Sequence, residues 1–298
     1  MVVGRGQGVL ARRAVPGLRP ENVIEEAVGR NTAASVALAA HLLTSRHGDA
    51  VMVVLPADHM VGKARRWLRT IRRAAAAAAQ TGSLLAIGVP VGRPEPGFGY
   101  LKPGRSVFAP GIHHVSAFVE KPPARRAARM VRSGRWLWNS GMFVWRAGAI
   151  LDELARLRPD IAGPIASWAG RLRRFPRRVP ARLLGRLPAE SIDRAVLERT
   201  ADLLVARGDF SWSDLGSWTD VIEALGKRRQ ANRALGPMLS VDSSGCLGAS
   251  DAGPIAFVGV RDLIAVRSGD AVLVCDRHRA QQVRELTDRE KTGGGRWP

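Results

Sequence analysis

Several short polar segments of the chain follow or interrupt apolar runs that have the β-branched and aromatic composition of strands. Parallel strands bring their carboxyl ends to one edge of a sheet, where open α/β folds place their ligand chemistry. We therefore expect the polar groups of these segments to lie close together. The residues that could do chemistry there are Asp58, Gly99, Glu120, Lys121, Asn139 and Asp214.

These residue types suit transfer of a phosphate group beside a polar substrate. Asp58 and Asp214 can hold a hard divalent ion, because Mg²⁺ favours one or two carboxylates together with substrate phosphates. Lys121 can neutralise a phosphate as a point charge. Glu120 and Asn139 carry the groups that bind sugar hydroxyls.

Each group also has a purely structural interpretation. Asp58 could belong to a turn after a core strand, and Glu120-Lys121 could be a solvated ion pair. Asn139-Ser140-Gly141 could be a turn, and Asp214 could cap the helix that follows it. The residues alone leave both interpretations open.

The elements that must position these residues alternate between strands and helices. Val51–Leu55 is predicted as a strand buried on both faces, which Pro56 ends. A short strand at Asn22–Glu25 and an alanine-rich helix at Ala33–Thr44 precede it, and this order predicts a parallel, right-handed crossover. A further helix is predicted at Ser191–Thr200.

The pattern divides the 298 residues into three parts. Residues 1–225 form a predicted α/β domain. Short β-like runs punctuated by glycine and serine predict a small β-rich domain over residues 226–290. Residues 291–298 are predicted to be a frayed tail.

Composition limits the classes of function. The formal net charge is +20, but only five of the 46 basic side chains are lysines, and arginine is scattered through every segment. We interpret this excess as compositional, because no aromatic RNP-like motif accompanies it. No apolar run approaches the roughly 20 residues of a membrane span, and two cysteines make no disulfide framework. These features predict a cytoplasmic protein that binds neither nucleic acid nor membrane.

Seven motifs of the chain occur together and in a fixed order. They are Glu25–Ala33 (EEAVGRNTA), Leu55–His59 (LPADH), Gly97–Leu101 (GFGYL), Phe118–Pro122 (FVEKP), Trp138–Phe143 (WNSGMF), Ser191–Val196 (SIDRAV) and Trp212–Trp218 (WSDLGSW). Through them the chain resembles the bacterial mannose-1-phosphate guanylyltransferase family over residues 1–224, and more weakly to residue 284. Each motif is weak alone, and the ordered set carries the resemblance.

The resemblance implies a Rossmann-like nucleotidyltransferase domain of three α/β/α layers, with a small β-helix-like part at the C-terminus. It implies that GTP and mannose 1-phosphate react to GDP-mannose and diphosphate, with Mg²⁺ as cofactor. A homodimer is compatible with the family.

The resemblance also implies roles for individual residues. Asp58 and Asp214 would bind Mg²⁺, and Lys121 would contact the sugar phosphate. Lys121, Asp58 and Asp214 together would form the catalytic set. The loop of Gly29, Arg30, Asn31 and Thr32 would lie against the guanine and ribose.

The same resemblance assigns the sugar contacts. Glu120, Asn139 and the backbone of Gly99 would hold the mannose. Asp193 is interpreted as structural, because a carboxylate near the start of the predicted Ser191–Thr200 helix suits the helix dipole.

The chain departs from the family pattern at its start. The family has a glycine-rich signature after its first strand, and the backbone and basic side chains of this signature cradle the triphosphate. Gly4–Gly8 (GRGQG) is rich in glycine, but its position fits a later strand–helix turn. Phe98 also replaces a tyrosine usual in the family. We therefore expect either a misplaced start codon or an N-terminally truncated member that lacks the first strand and phosphate loop, with impaired catalysis by the sequence as written.

Three other functions stay open at this stage. A nucleotidyltransferase for another sugar 1-phosphate or another base would use the same residue types. A non-catalytic protein that binds sugar nucleotides would keep the sugar contacts without turnover. A basic nucleic-acid binder would show a steep dependence of affinity on salt.

Overall fold

The structure is a computed structural model that describes residues 1–172, 178–226, 230–283, 285–286 and 289, so the tail predicted at 291–298 lies outside it. The strands are β1 (Val2–Gly4), β2 (Ile24–Glu26), β3 (Val51–Val54), β4 (Met60–Val61), β5 (Leu84–Pro90), β6 (Gly99–Ser106), β7 (Ile112–Glu120), β8 (Leu137–Arg146), β9 (Arg178–Val179), β10 (Leu203–Arg207), β11 (Trp212–Ser213), β12 (Arg233–Leu235), β13 (Met238–Val241), β14 (Leu247–Ser250), β15 (Ile255–Val258), β16 (Leu263–Ser268) and β17 (Ala271–Asp276).

The helices are α1 (Gly8–Ala14), α2 (Asn31–His47), α3 (Ala64–Thr81), α4 (Ala124–Arg132), α5 (Ala147–Leu157), α6 (Pro159–Ala169), α7 (Ala181–Leu184) and α8 (Trp218–Ala224). A π-helical turn covers Asp193–Leu197. The chain forms two compact units: the first contains residues 1–57 and 62–211, and the second contains residues 58–61 and those from Trp212 onward.

A six-stranded mixed sheet with the order β3-β8-β5-β10-β7-β6 lies at the centre of the first unit. Strands β5 and β10 are parallel, whereas β8 and β7 run antiparallel to them. Strand β6 pairs with β7 and also with the first residues of β8. This second pairing brings together the start of β6, the end of β7 and the start of β8.

Helices cover both faces of this sheet. Leu84 and Ala86 of β5 join the core formed with α2, α5 and α6. Helix α3 contacts β3, β5, β8 and β10. Leu85 and Ile87, which alternate with the first pair along β5, are also fully buried. The expected three-layer α/β/α arrangement is therefore confirmed.

Strand β3 corrects the prediction made for Val51–Leu55. It lies at the end of the sheet, pairs with β8 in antiparallel register, and leaves Val53 38% and Leu55 45% exposed. The predicted parallel crossover is also wrong, because β2 belongs to a separate parallel sheet with the order β1-β2-β9. An apolar run predicts that a strand forms, but it does not predict its partner, which here is the later strand β8.

Two further predictions change in the first unit. Asn139-Ser140-Gly141 does not break the apolar segment, since β8 runs through it and a register shift against β5 accommodates it. The helix predicted at Ser191–Thr200 is only the π-helical turn Asp193–Leu197. Its Ala195, Val196 and Leu197 are buried in the core, so packing rather than helix propensity fixes this segment.

The second unit is β-helix-like, as expected. Strands β12, β14 and β16 form one parallel ladder, and β13 and β15 form a second. Successive strands of the chain add to the two ladders in turn around a small core that contains Cys246, Phe257 and Ala265. Strand β17 closes the first ladder in antiparallel register. In the described part of the chain, no helix combines the length and apolarity needed to cross a membrane.

Candidate functional site

Gly99 lies between two of the predicted sugar-binding residues. It is paired with Glu120 across β6 and β7, and the next residue, Tyr100, is paired with Trp138 of β8. A Cβ atom at position 99 would lie 2.5 Å from Oε2 of Glu120 and 3.2 Å from the Cβ of Asn139. Any side chain here would therefore displace the Glu120 carboxylate.

Lys121 follows at the end of β7 with its backbone in the left-handed region, at a φ of 50°. Its backbone N–H donates to the carbonyl oxygen of Phe98, at 3.2 Å. Its Nζ lies 3.5 Å from Oε1 of Glu120. The lysine side chain is 55% exposed and that of Glu120 only 8%, so the ammonium group faces solvent over a buried carboxylate.

Hydrogen bonds hold both ends of the Asn139 amide. Its Nδ2 donates to Oδ1 of Asp193 at 2.7 Å, and its Oδ1 accepts the backbone N–H of Gly141 at 3.2 Å. One amide hydrogen and one oxygen lone pair remain for a ligand. The structure thus brings together Gly99, Glu120, Lys121 and Asn139, as the sequence predicted.

Two carboxylates of this cluster were missed by the sequence reasoning. Asp193, interpreted only as a partner of a helix dipole, accepts the Asn139 hydrogen bond. Glu198 accepts the backbone N–H of Glu120 with its Oε1 at 2.7 Å. The signal for Asp193 was its place in the ordered motif SIDRAV, whereas Glu198 had none.

Burial and neighbouring charges shift the titration of this cluster. Burial, and next the negative charge of Asp193, raise the pKa of Glu120 to about 7, although Lys121 acts in the opposite direction. Burial also raises the pKa of Asp193, and the Asn139 hydrogen bond opposes that shift. The titration of Glu120 is therefore moved towards the neutral pH range.

The two predicted metal ligands belong to the second unit. Strands β4 and β11 pair in antiparallel register, with Met60 opposite Ser213. Asp58 precedes Met60 by two residues and Asp214 directly follows Ser213, so both lie beyond the same end of this ladder. The register therefore brings the two aspartates close in the fold.

Asp58 and Asp214 offer carboxylate oxygens, the ligand type that a hard cation such as Mg²⁺ prefers. The Asp58 side chain is 85% exposed, with Oδ1 3.9 Å from Nε2 of His59. Oδ1 of Asp214 accepts the backbone N–H of Gly216 at 3.1 Å. Two carboxylates supply fewer oxygen ligands than the six that Mg²⁺ requires, so a phosphate and water would complete the shell. No group of three or more His, Cys, Asp or Glu side chains among the described residues could hold a metal.

The loop predicted to bind the nucleotide makes several contacts within the first unit. Arg30 donates from Nε to the carbonyl of Leu184 at 2.8 Å and from Nη2 to that of Gly185 at 2.7 Å. Asn31 has a φ of 61°, and the Thr32 hydroxyl accepts the backbone N–H of Ile192 at 2.9 Å. Gly29 has open space around it. Arg30 and Thr32 thus have structural roles, and nucleotide contact by the loop stays a prediction.

The sequence matches known protein families over most of its length. Residues 17–230 match the nucleotidyl transferase family. Residues 236–289 match the family described as the MannoseP isomerase/GMP-like beta-helix domain. The first match covers the mixed sheet, and the second covers the strands of the parallel ladders except β12.

Individual relatives agree with these matches. The mannose-1-phosphate guanylyltransferase ManC of Salmonella typhimurium is 38% identical over 286 residues, which cover 92% of this chain and 58% of the relative. A mannose-1-phosphate guanylyltransferase of Escherichia coli is 40% identical over 272 residues, covering 90% of this chain and 57% of the relative. The chain thus spans somewhat more than half the length of these relatives.

A solved structure extends the likeness to the fold. A crystal structure from Thermus thermophilus, described as a mannose-1-phosphate geranyltransferase, superposes with a TM-score of 0.86. Its sequence is 29% identical, and the match covers 97% of this chain and 83% of that one. Both units of the chain thus have counterparts in one solved protein.

Proposed function

Since the chain belongs to the nucleotidyl transferase family, we propose that it transfers a guanylyl group from GTP to mannose 1-phosphate, giving GDP-mannose and diphosphate. The names of the Salmonella and Escherichia relatives support this choice of substrates. The observation that carries the proposal is the convergence of Gly99, Glu120 and Asn139, with Lys121 beside them.

The proposed sugar contacts follow from the hydrogen-bonding capacity of each group. Ionised Glu120 can only accept, so it would bind hydroxyl groups that donate to its two oxygens. Asn139 retains one donor and one acceptor position, which suits a neighbouring hydroxyl that both accepts and donates. Gly99 leaves its backbone open to a sugar ring, because no side chain covers it.

Lys121 is proposed to bind the phosphate of the sugar. Its ammonium group is more than half exposed and lies beside the Glu120 carboxylate. A ligand that carries hydroxyls on one side and a phosphate dianion on the other would pair with both groups. The Lys121 ammonium group would then neutralise the phosphate as a charge, without transferring a proton to it.

Asp58 and Asp214 are proposed to hold Mg²⁺, which, when bound, neutralises charge on phosphate oxygens. In the proposed reaction, a phosphate oxygen of the sugar attacks the α-phosphorus of GTP. The bond to this oxygen forms as the bond to the leaving diphosphate breaks. Gly29–Thr32 is proposed to contact the nucleoside, and the protein is proposed to act as a homodimer.

Release of diphosphate from GTP and mannose 1-phosphate tests the proposal. We expect release to require both substrates and Mg²⁺, and to fall when ATP, UTP or dTTP replaces GTP. Faster turnover of a different sugar 1-phosphate or nucleotide would reassign the substrates. Calorimetric binding of GDP-mannose without any turnover would instead favour a non-catalytic sugar-nucleotide-binding protein.

A further inference from the structure

We propose that Asp193 is a positioning residue, which fixes the Asn139 amide in the orientation that recognises the sugar. The inference rests on the proposed function for the identity of the ligand. It assigns the specificity of the sugar pocket partly to a residue that need not touch the sugar.

Two hydrogen bonds fix the direction of the Asn139 amide. A carboxylate can only accept hydrogen bonds, so Asp193 holds the Nδ2 side of Asn139 towards itself, at 2.7 Å. The Gly141 N–H can only donate, so it holds the Oδ1 side. If the amide were flipped, its oxygen would face the Asp193 carboxylate and its NH₂ group would face the Gly141 N–H. Two repulsive contacts would then replace the two hydrogen bonds. The free donor and acceptor of Asn139 therefore point in one defined direction.

The backbone around Asp193 is itself held in place by packing. Asp193 begins the π-helical turn whose residues Ala195, Val196 and Leu197 are packed in the main core. The preceding residue, Ile192, is also buried, and its N–H donates to the Thr32 hydroxyl at 2.9 Å. The carboxylate is thus held from both sides by packed backbone. A side chain positioned in this way can orient a neighbour without losing much entropy of its own.

Asp193 also acts on Glu120 through its charge. The charged groups that face Glu120 are Asp193 and Glu198, which favour its protonated form, and Lys121, which favours its ionised form. Asp193 therefore acts on both sugar-facing side chains, through a hydrogen bond to Asn139 and through its charge on Glu120. The two effects can be separated by mutation, because one needs an acceptor atom and the other needs a charge.

The test compares Asp193→Asn with Asp193→Ala. Asparagine keeps an oxygen that can accept from Asn139 but removes the charge, whereas alanine removes both. For Asp193→Ala we expect the KM for mannose 1-phosphate to rise at least about tenfold, which corresponds to about 1.4 kcal/mol, with little change in the KM for GTP. For Asp193→Asn we expect a smaller rise in this KM. Both variants remove the Asp193 charge. In both, the fall of kcat/KM for mannose 1-phosphate on the acidic side of the pH profile should therefore move to lower pH.

Asp202→Ala is the matched control, because it removes the same charge from an exposed side chain close in sequence to the turn. We expect its kinetics and pH profile to match those of the unmodified protein. A melting curve for each variant identifies loss of folding, and if Asp193→Ala is unstable, Asp193→Asn still tests the effect of the Asp193 charge on the pH profile. An unchanged KM for the sugar phosphate in a folded Asp193→Ala protein would overturn the inference.

A second measurement does not depend on the substrate. In protein labelled with ¹⁵N-asparagine, the side-chain NH₂ signals of Asn139 are identified by their loss in Asn139→Asp. We expect Asp193→Ala to collapse the shift difference between the two amide protons and to speed their exchange with water, and Asp202→Ala to do neither. Unaltered signals would refute the positioning role. Failure of the proposed function appears differently, as absence of turnover in the unmodified protein while these signals still respond to Asp193.

Discussion

Gly99 and Glu120 face each other in register on β6 and β7, so closely that a Cβ atom on the glycine would lie 2.5 Å from the carboxylate. Gly99→Ala should push the Glu120 side chain away from its observed position. We expect mannose 1-phosphate to bind at least about tenfold more weakly, a loss of about 1.4 kcal/mol, as measured by calorimetry. Gly163→Ala is the control, because its added methyl group meets open space in α6 and should leave binding unchanged. Equal affinity in both variants would show that the carboxylate does not contact the ligand.

The raised pKa of Glu120 predicts a pH dependence of sugar binding. Because burial and Asp193 bring this pKa to about 7, the accepting carboxylate is lost as the pH falls through 7. We expect kcat/KM for mannose 1-phosphate to fall on this acidic side, and Glu120→Gln to be low and flat across the same range. A profile of the unmodified protein that shows no inflection near pH 7 would contradict the role of Glu120.

The same shift predicts an effect on stability. A carboxyl group whose pKa is higher in the folded than in the unfolded protein destabilises the fold when both states are ionised, at a pH above the folded value. The cost disappears below the unfolded value of 4.5, where both are protonated. We expect Glu120→Gln to be more stable by on the order of 1–3 kcal/mol at pH 8. Urea unfolding should show this advantage shrink between pH 7 and pH 4.5.

Removal of the proposed magnesium ligands should abolish the metal-dependent rate. Asp58→Asn and Asp214→Asn each remove one anionic ligand, so we expect activity to fall by about two orders of magnitude or more. Added Mg²⁺ at high concentration should restore part of it. Asp270→Asn is the control, because this aspartate is exposed and lies in the turn between β16 and β17, outside the β4–β11 ladder. Unchanged activity in either ligand variant would exclude that residue as a ligand.

Arg30 offers a prediction about stability. Its two hydrogen bonds to the carbonyls of Leu184 and Gly185 use the fork geometry of the guanidinium group. Arg30→Ala should lower the free energy of unfolding by about 1–3 kcal/mol. Arg30→Lys should not restore it, because an ammonium group cannot reproduce the fork. Arg182→Ala is the matched control, because this arginine is exposed, and it should leave the free energy of unfolding unchanged. An Arg30→Lys protein as stable as the unmodified protein would contradict this interpretation.

The sequence predicted the local elements better than their pairing. Apolar runs identified the strand at Val51–Leu55 and the strands of the β-helix-like unit, because short-range composition indicates extended, partly buried segments. It could not predict that β8 would pair with β3, since that depends on residues about 90 positions apart in the chain. The prediction of a parallel crossover from β2 to β3 was therefore wrong.

The candidate site shows the same division. Motifs placed Gly99, Glu120, Lys121 and Asn139 together, as the structure does. Asp193 was assigned to a helix dipole because the sequence does not show that a π-helical turn directs it to Asn139. Contacts that depend on the tertiary course of a short turn leave little trace in local composition.

Strand β3 has consequences for handling the protein. Within the described residues it pairs with one strand only, which leaves a row of backbone N–H and C=O groups beside the exposed Val53 and Leu55. Such an edge can take up a strand from another molecule, so concentrated or partly unfolded samples will associate there first. We expect a lysine at position 53 to oppose that association, and it changes none of the residues proposed to bind the sugar.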